Sequence, residues 1–566
     1  MDIRRVVLAV VLMAAVLFVT PLIFPTPRPT APKATGKDSV RVTAPSGQTA
    51  GQPAAPMLSA GAASTVLPAD SLQPVTPVET TTVQTAVATF RVSSMGASLV
   101  SAEMQGYRAL DGAKGADGTA ARVELARPNE RLLGLRAVIP GDTLLLDAAR
   151  FALTRTKDGN REVLSYAATV KGTPVTISYS FAPDSYLVRI DTKVQHPSNQ
   201  GFVLYQLPNG LRTTEADTTA DHQALAYAFR TESGKADIRR FDGIKPDERR
   251  VEPGPLTWAI AKNKYFLIGL LTPVGGKPFA ELITQGTPKR EGEKFRTSAT
   301  GTVVAALDNG GHRIELYAGP QEWRRLHAIG RGFEESNPYG GWLQGFVQPF
   351  ATLVIRGILW CKENLRLSYG WVLVAIGVLV RLAMWPLNQK MLRTSLAMQR
   401  ISPELQEIQK KYSNDPQKLQ SEMMKVYAQH NVSPFSTLSG CLPMMLPMPV
   451  FFALFFVFQN TIEFRGVPFL WLPDISLKDP FYILPLLVAA TQMLTSFISL
   501  KASPPNPQAK MMAYMLPAVF LVFFLNVASG LNLYYAVQNL VGIPQQWLLA
   551  RERGKSGAVT PAPAKG

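Results

Sequence analysis

What limits this 566-residue chain most is the placement of its long apolar runs: at the extreme N-terminus and after Trp342, with a polar, strand-like middle. A helix crosses a bilayer with roughly 20 mainly apolar residues. Runs that reach or approach that length lie at 6–24, 371–387, 441–460, 481–500, 511–527 and 531–549. They predict a polytopic α-helical membrane protein of six spans, five in a C-terminal core, carrying one large soluble domain. The basic residues set its orientation. The segment after the second run holds Lys390, Arg393, Arg400, Lys410, Lys411, Lys418 and Lys425 against Glu404, Glu407, Asp415 and Glu422, and Arg551, Arg553 and Lys555 follow the last run. By the positive-inside rule these parts and both termini face the cytoplasm, and the soluble domain faces the other side.

The second run, "WVLVAIGVLVRLAMWPL", contains Arg381. An arginine at the centre of a span costs about 2.5–3.5 kcal/mol on insertion scales. Two readings stand side by side: a cation placed in a wet concavity, and a side chain that snorkels to the basic cytoplasmic end about 10 Å of helix away. No acidic row crosses the runs, so a proton-coupled transporter or a channel ring fits poorly. Polar residues do occur there: Gln459, Asn460, Thr491, Gln492, Asn526, Ser529, Asn532 and Gln538. Pro443, Pro447, Pro449, Pro485 and Pro517 free backbone carbonyls, which lipid tolerates only where neighbours or water satisfy them.

Residues 1–24, with Arg4 and Arg5 ahead of the apolar run, read as an uncleaved signal anchor rather than a cleaved signal peptide, because the run ends in "PLIFPTPRP". Residues 25–80 are Pro, Thr, Ala, Ser and Gly and read as a disordered periplasmic linker. Over 81–320, runs such as "TTVQTAVATFRVSS", "LTWAIAKNKYFLIGLL" and "GHRIELYAGP" predict an antiparallel β-sandwich, with Lys171-Gly172 as a hairpin turn. Nothing in it has the pattern of a catalytic cluster, and Asp221-His222 is expected to be an exposed loop pair. Residues 321–370 form a helical connector, with an interfacial amphipathic helix from Gly341 that carries Arg356 and Lys362. Within the core at 371–550, residues 388–438 form a cytoplasmic hairpin. One helix is striped by Ile401, Leu405, Ile408 and Tyr412, the other by Leu419, Met423, Val426 and His430, and Asp415 caps the second ahead of Pro416. The hairpin is either a self-contained pair or a docking arm. Residues 551–566 are a basic tail.

The net charge of +17 is explained by orientation in the bilayer, with anionic lipid or ribosomal RNA as a secondary partner. Two cysteines, Cys361 and Cys441, exclude a disulfide framework, and the five histidines lack ligand spacing, so neither a metal nor a cofactor is expected.

In order and spacing, "VLVRLAMWPLNQKMLRTSLAMQRISPELQEIQKKY", "QSEMMKVYAQHNVSP", "GCLPMMLPMPVFFALFFVF", "DPFYILPLLVAATQM" and "ASGLNLYYAVQNLVGIPQQWLL" resemble the long Gram-negative form of the YidC/Oxa/Alb insertase family. The resemblance implies a non-enzymatic membrane protein insertase and chaperone of the bacterial inner membrane, multi-pass, with a periplasmic large domain. It implies a hydrophilic groove open to the cytoplasm with one arginine, here Arg381, and a lining drawn from Asn526, Gln459, Asn532, Tyr534 and Tyr535. Clients would slide along Met444, Met448, Phe451 and Phe455. Implied partners are nascent membrane proteins, the bilayer, the Sec translocon (SecYEG) with SecDF, the ribosome and the signal recognition particle receptor. Ribosome or receptor would touch Lys410, Lys411, Lys418, Lys425, Arg551 and Arg553; no small-molecule substrate is expected. Pro447 and Asn526 depart from the family pattern, which implies a redistributed polar lining. Competing readings are a binding or enzymatic sandwich, whose architecture in this family is similar to mutarotase-like folds, a small-solute transporter, and a chaperone for proteins already in the bilayer.

Overall fold

The computed structural model describes residues 78–556 apart from 235, 247, 338–343, 414, 431–447 and 502–506. The expected anchor at 1–24, nearly all of the linker, Met444 and Pro447 lie outside the described residues.

Alternation of buried and exposed side chains builds the soluble part. Thr173–Phe181 buries every second residue, which turns one face of the strand to a core and the other to solvent. Its hairpin with Arg161–Val170 turns at Lys171 (φ 47°) and Gly172 (φ 77°), the two positive-φ positions of the tight turn that matches strand twist. All strand pairs are antiparallel, in a four-stranded sheet and a sheet of fourteen strands that starts at Asp142–Leu144 and ends at Ala152–Asp158. A sheet of that width has to curl to close a core. One core results, from Val83 to Phe333, and it also takes in Ile462 from the helical part. Buried tyrosines in it mostly satisfy their hydroxyls on backbone: Tyr179 donates to Ala97 O at 2.6 Å and Tyr227 to Ala299 O at 2.7 Å.

One expectation fails here. Asp221 is not in an exposed loop but fully buried in helix α1 (Thr218–Ala224), capped by Asp217, where it accepts from the Lys264 N–H at 3.1 Å. Burial, reinforced by the Glu215 charge, raises its carboxyl to about 7.

A connector helix α2 (Trp323–Ile329) leads to α3 (Gln344–Leu365), which buries Val347, Ala351, Ile355 and Ile358 and exposes Leu353 and Trp360. The buried spacing of three and four residues is one helical stripe, and it packs on α6 (Met448–Asn460). Helix α4 (Tyr369–Lys411) is 43 residues long, so the second apolar run and the first arm of the hairpin are one helix. The Gln, Lys, Met, Leu, Arg and Ala that follow Asn388 are good helix formers and give the chain no reason to stop. Helix α5 (Pro416–Gln429) returns along it. Asp415 caps α5 at the Lys418 N–H (3.1 Å), and Ile401 and Leu405 pack on Val426 and Tyr427. Tyr427 thus joins a stripe expected to hold Leu419 and His430; His430 instead meets Glu404 at 3.1 Å.

The bundle is completed by α7 (Ile483–Lys501), α8 (Pro507–Phe524) and α9 (Ser529–Ser556), with α9 against α4 and α7. Among the described residues Tyr369–Pro386 alone forms a helical window long and apolar enough to cross a membrane; Phe451–Asn460, Ile483–Ile498 and Ala513–Phe524 are apolar but shorter.

The sandwich and bundle meet through the loop between α6 and α7. Arg465 Nε donates to both Glu215 oxygens at 2.8 and 2.9 Å, its Nη2 to Arg108 O at 2.9 Å, and both side chains are 5% exposed. Beside it Glu463 is half-buried and accepts from the Trp323 N–H at 3.3 Å; desolvation raises its carboxyl to about 7. The loop itself is held by Asp474, which accepts from Gly466 N–H, and by Asp479, which accepts from Leu484 N–H at 2.7 Å and Trp471 Nε1 at 3.2 Å.

Candidate functional site: a polar seam between two helices

On α4, Gly377, Arg381 and Trp385 recur at intervals of four and therefore share one face. On α9, Tyr534, Gln538, Gly542 and Gln545, at intervals of four, four and three, also share one face. The two faces meet. Gln538 donates to Gly377 O at 3.1 Å and to the Tyr534 hydroxyl at 2.9 Å, and Gln545 donates to Trp385 O at 3.5 Å. Between these, the Arg381 guanidinium lies against Gly542, where any Cβ would run into it. A Cβ there would push the guanidinium aside.

Arg381 is half-buried and, among the described residues, makes no ion pair; its Nε is buried without a hydrogen-bond partner. An unneutralised, partly desolvated guanidinium is a strong attractor for a carboxylate, because the attraction acts through a medium less polar than water. A second polar contact ties α9 to α7: Asn539 donates to Thr491 Oγ1 at 3.2 Å.

The residues expected around Arg381 divide into two groups. Tyr534 belongs to the seam, and Tyr535 sits next to it, ring to ring at 5.2 Å. Asn532 is fully buried and donates to Phe524 O at 3.1 Å, tying α9 to the end of α8. Asn526 and Gln459 are not beside Arg381. They line a cleft where the bundle meets the sandwich, and there Asn526 accepts from Lys478 Nζ at 3.2 Å. The turn at 525–528 precedes α9, so Asn526 is about 20 Å of helix from Gly542. Counting polar residues in apolar runs cannot separate two ends of one bundle. The helical spacing of Tyr534, Gln538, Gly542 and Gln545 was the signal that gathers the seam, and Gly542 and Gln545 were missed because a glycine and a near-terminal glutamine look ordinary.

Of the expected client surface, Phe455 is buried and Phe451 half-buried, in a cluster with Phe523 and Tyr535 at 5.6 to 6.4 Å between ring centres. Met448 opens α6. Lys410, Lys411, Lys418 and Lys425 are all exposed on the hairpin, Lys418 and Lys425 in ion pairs with Asp415 (3.7 Å) and Glu422 (2.7 Å). Arg551 and Arg553 fall in the last turns of α9.

Comparison with known proteins matches two family models, one described as 60Kd inner membrane protein over residues 360–556 and one as YidC periplasmic domain over residues 80–353. A membrane protein insertase YidC of Burkholderia cenocepacia is 32% identical over 413 residues, 70% of this chain and 71% of that protein. One from Anaeromyxobacter dehalogenans is 36% identical over 341 residues, 58% of this chain and 57% of that protein. The crystal structure of an active YidC insertase with the first transmembrane domain resolved overlaps loosely, at a TM-score of 0.33 and 18% identity, over 84% of this chain and 95% of that one. The relative from Burkholderia and the two family models, which together take in both the sandwich and the helical part, establish that the chain belongs to the YidC family of membrane protein insertases.

Proposed function

We propose that this chain inserts nascent membrane proteins into the inner membrane and assists their folding there, without covalent chemistry, from a groove built on the seam between α4 and α9. The observation that carries this is Arg381, a half-buried cation with no ion pair among the described residues, seated against the bare backbone of Gly542. An acidic or polar client tail is drawn to the guanidinium and held at membrane depth while its apolar segment moves into lipid. Burial of that segment, worth about 25 cal/mol per Å² of apolar surface, drives the step. Where the tail is charged, the membrane potential contributes as well. The aromatic cluster of Phe451, Phe455, Phe523 and Tyr535 is the apolar wall along which the segment leaves, and Met444 and Met448 are further residues of that client path.

In this reading the chain has six spans with both termini in the cytoplasm and the sandwich in the periplasm as a spacing and docking domain. The hairpin lysines, with Arg551 and Arg553, meet the ribosome and the signal recognition particle receptor. The Sec translocon and SecDF are further partners.

The test is protease-protected insertion of a single-span client with an acidic tail into liposomes that contain only the purified protein. Insertion well above empty liposomes, reduced in Arg381→Ala, supports the reading. Insertion no better than lipid alone removes it.

A further inference from the structure

The cleft that holds Asn526 and Gln459 has a composition the groove does not explain. Its volume is about 320 Å³, and it lies between α1 of the sandwich and the ends of α6 and α8. Arg240, Lys264, Lys294 and Lys478 line it against a single carboxylate among the described residues, Asp217. The cations come from four separate places: two sandwich strand ends, the loop before Phe295, and the loop before α7. Like charges brought together across an interface cost energy unless something of opposite sign meets them. Lys264 is nine-tenths buried over the Tyr265 ring at 4.8 Å, whereas Arg240, Lys294 and Lys478 are exposed and face the opening.

The opposite wall sets Phe455 and Phe456 beside Gln459 and Asn460 and is continuous with the aromatic face of α6. Phe455 and Phe456 line the cleft, and Phe455 also belongs to the cluster with Phe451 and Phe523. A client span lying along that face therefore ends at the cleft, with its far flank among the four cations. The positive-inside rule applies to clients too: a flank bound for the periplasm is poor in Lys and Arg. If Arg381 selects acidic tails, the flank that arrives is acidic.

We infer that this basic cleft is a receiving site for the translocated acidic flank of a client, a second electrostatic station about 20 Å of helix beyond Arg381. The inference rests on the insertase reading of the previous section. Arg381 draws the carboxylates to membrane depth, and the cleft gives them a partner on exit, so that a tail released from the first cation is not left to slip back.

The experiment uses the full-length protein in phosphatidylglycerol-containing proteoliposomes, with a photoreactive residue at Thr219, an exposed uncharged position on the cleft wall, or at Phe451. Clients carry an Asp-rich or an Asn-rich translocated flank. The cleft predicts crosslinks from Thr219 to the Asp-rich flank that fall about tenfold in Lys294→Glu/Lys478→Glu, with a smaller loss for the Asn-rich flank. Equal crosslinking of both flanks overturns the site. So does capture at Thr219 of a photoreactive phosphatidylglycerol that the acidic flank does not displace, which identifies the cleft as a lipid headgroup site. If insertion and crosslinks from Phe451 persist while Thr219 stays silent, the cleft fails alone. If wild type neither inserts clients nor crosslinks from Phe451, the insertase reading has failed and takes the cleft with it.

Discussion

Arginines in the sandwich and the arginine in the bundle are treated in opposite ways. Arg331 meets Glu315 at 2.7 Å and also donates to Thr272 O; Arg296 donates to Phe241 O at 3.0 Å; Arg127 donates to Leu211 O and Thr297 O. Each of these guanidinium groups has at least one acceptor on a neighbouring strand end or loop, although Nε of Arg296 and of Arg331 lacks a partner as Arg381 Nε does. Arg381 is partly desolvated as well, yet its surroundings are a glycine, a tyrosine and two glutamine amides turned toward backbone carbonyls. Arg331, Arg296 and Arg127 help to hold the sandwich together, and the bundle leaves Arg381 without an ion pair among the described residues. On the proposed insertase reading, the partner that offsets the cost of Arg381 is the client tail.

The largest effect expected from this contrast is at the junction. Arg465→Ala leaves Glu215 buried without its cation, and breaking a buried pair from one side costs about 3–5 kcal/mol. Limited proteolysis and denaturant unfolding should show the loop at 462–482 released and the sandwich loosened. A loss below about 1 kcal/mol would place the pair among solvent-screened surface contacts, and the claim that sandwich charges are structural would go with it.

The pH dependence of the same junction is the next in size. Asp221 and Glu463 are both raised to about 7 by burial, from ordinary values of 3.8 and 4.5. Between those limits the unfolded chain has lost the protons and the folded chain keeps them, so stability falls as pH rises toward 7 and the cost is complete above it. His312, pushed down to about 4 by burial, acts the other way between 4 and 6.5. Lys262, lowered to about 7, makes stability rise again from 7 toward 10.5. Comparing wild type with Asp221→Asn/Glu463→Gln isolates the acids: the double variant should gain on the order of 2 kcal/mol per carboxyl relative to wild type between pH 5 and 7. A constant difference across that range would mean that both carboxyls are ionised when folded.

In the bundle the same kind of substitution should cost function and spare the fold. Arg381→Ala removes no ion pair present among the described residues, so unfolding should move little, while insertion of an acidic-tailed client drops about tenfold, or 1.4 kcal/mol. Arg381→Lys keeps the charge and should recover part of it. Gly542→Ala approaches the defect from the other helix. Its Cβ displaces the guanidinium, an overpacking worth about 1–3 kcal/mol if the helices must part, and the insertion profile should resemble that of Arg381→Ala. A Gly542→Ala protein that inserts acidic tails normally would show that the seam does not position Arg381.

The sandwich was legible because strands declare themselves locally. Alternation in "PVTISYSF" and the Lys171-Gly172 pair fix faces and a turn without reference to the rest of the fold. Asp415-Pro416 marked a helix start for the same reason. Arg381 stood out by its energetic cost alone. What could not be read was pairing between distant segments: Glu215 with Arg465, Arg381 with Gly542, Asn526 with Lys478. Asp221 was misread because its burial depends on Lys264 and Asn263, some forty residues away, and not on its neighbours. A polar residue in an apolar run announces that something polar is nearby, but only packing decides at which end of the bundle.

The smallest effect expected tests where the contrast stops. Lys425 meets Glu422 at 2.7 Å on the hairpin, one turn along α5, with the lysine 64% and the glutamate 34% exposed. Such a pair is solvated in either state and screened, so it adds little to stability. Lys425→Ala should therefore leave the unfolding midpoint within error, as should Lys410→Ala, which removes no ion pair present among the described residues. The lysines are neither structural, as the sandwich arginines are, nor buried at a cost, as Arg381 is. If the hairpin is a docking arm, their value appears only against a polyanionic partner. Replacing Lys410, Lys411, Lys418 and Lys425 together should then weaken ribosome co-sedimentation and flatten its dependence on salt. Unchanged co-sedimentation would leave the hairpin as a self-contained helical pair, with its charge serving only to fix orientation in the membrane.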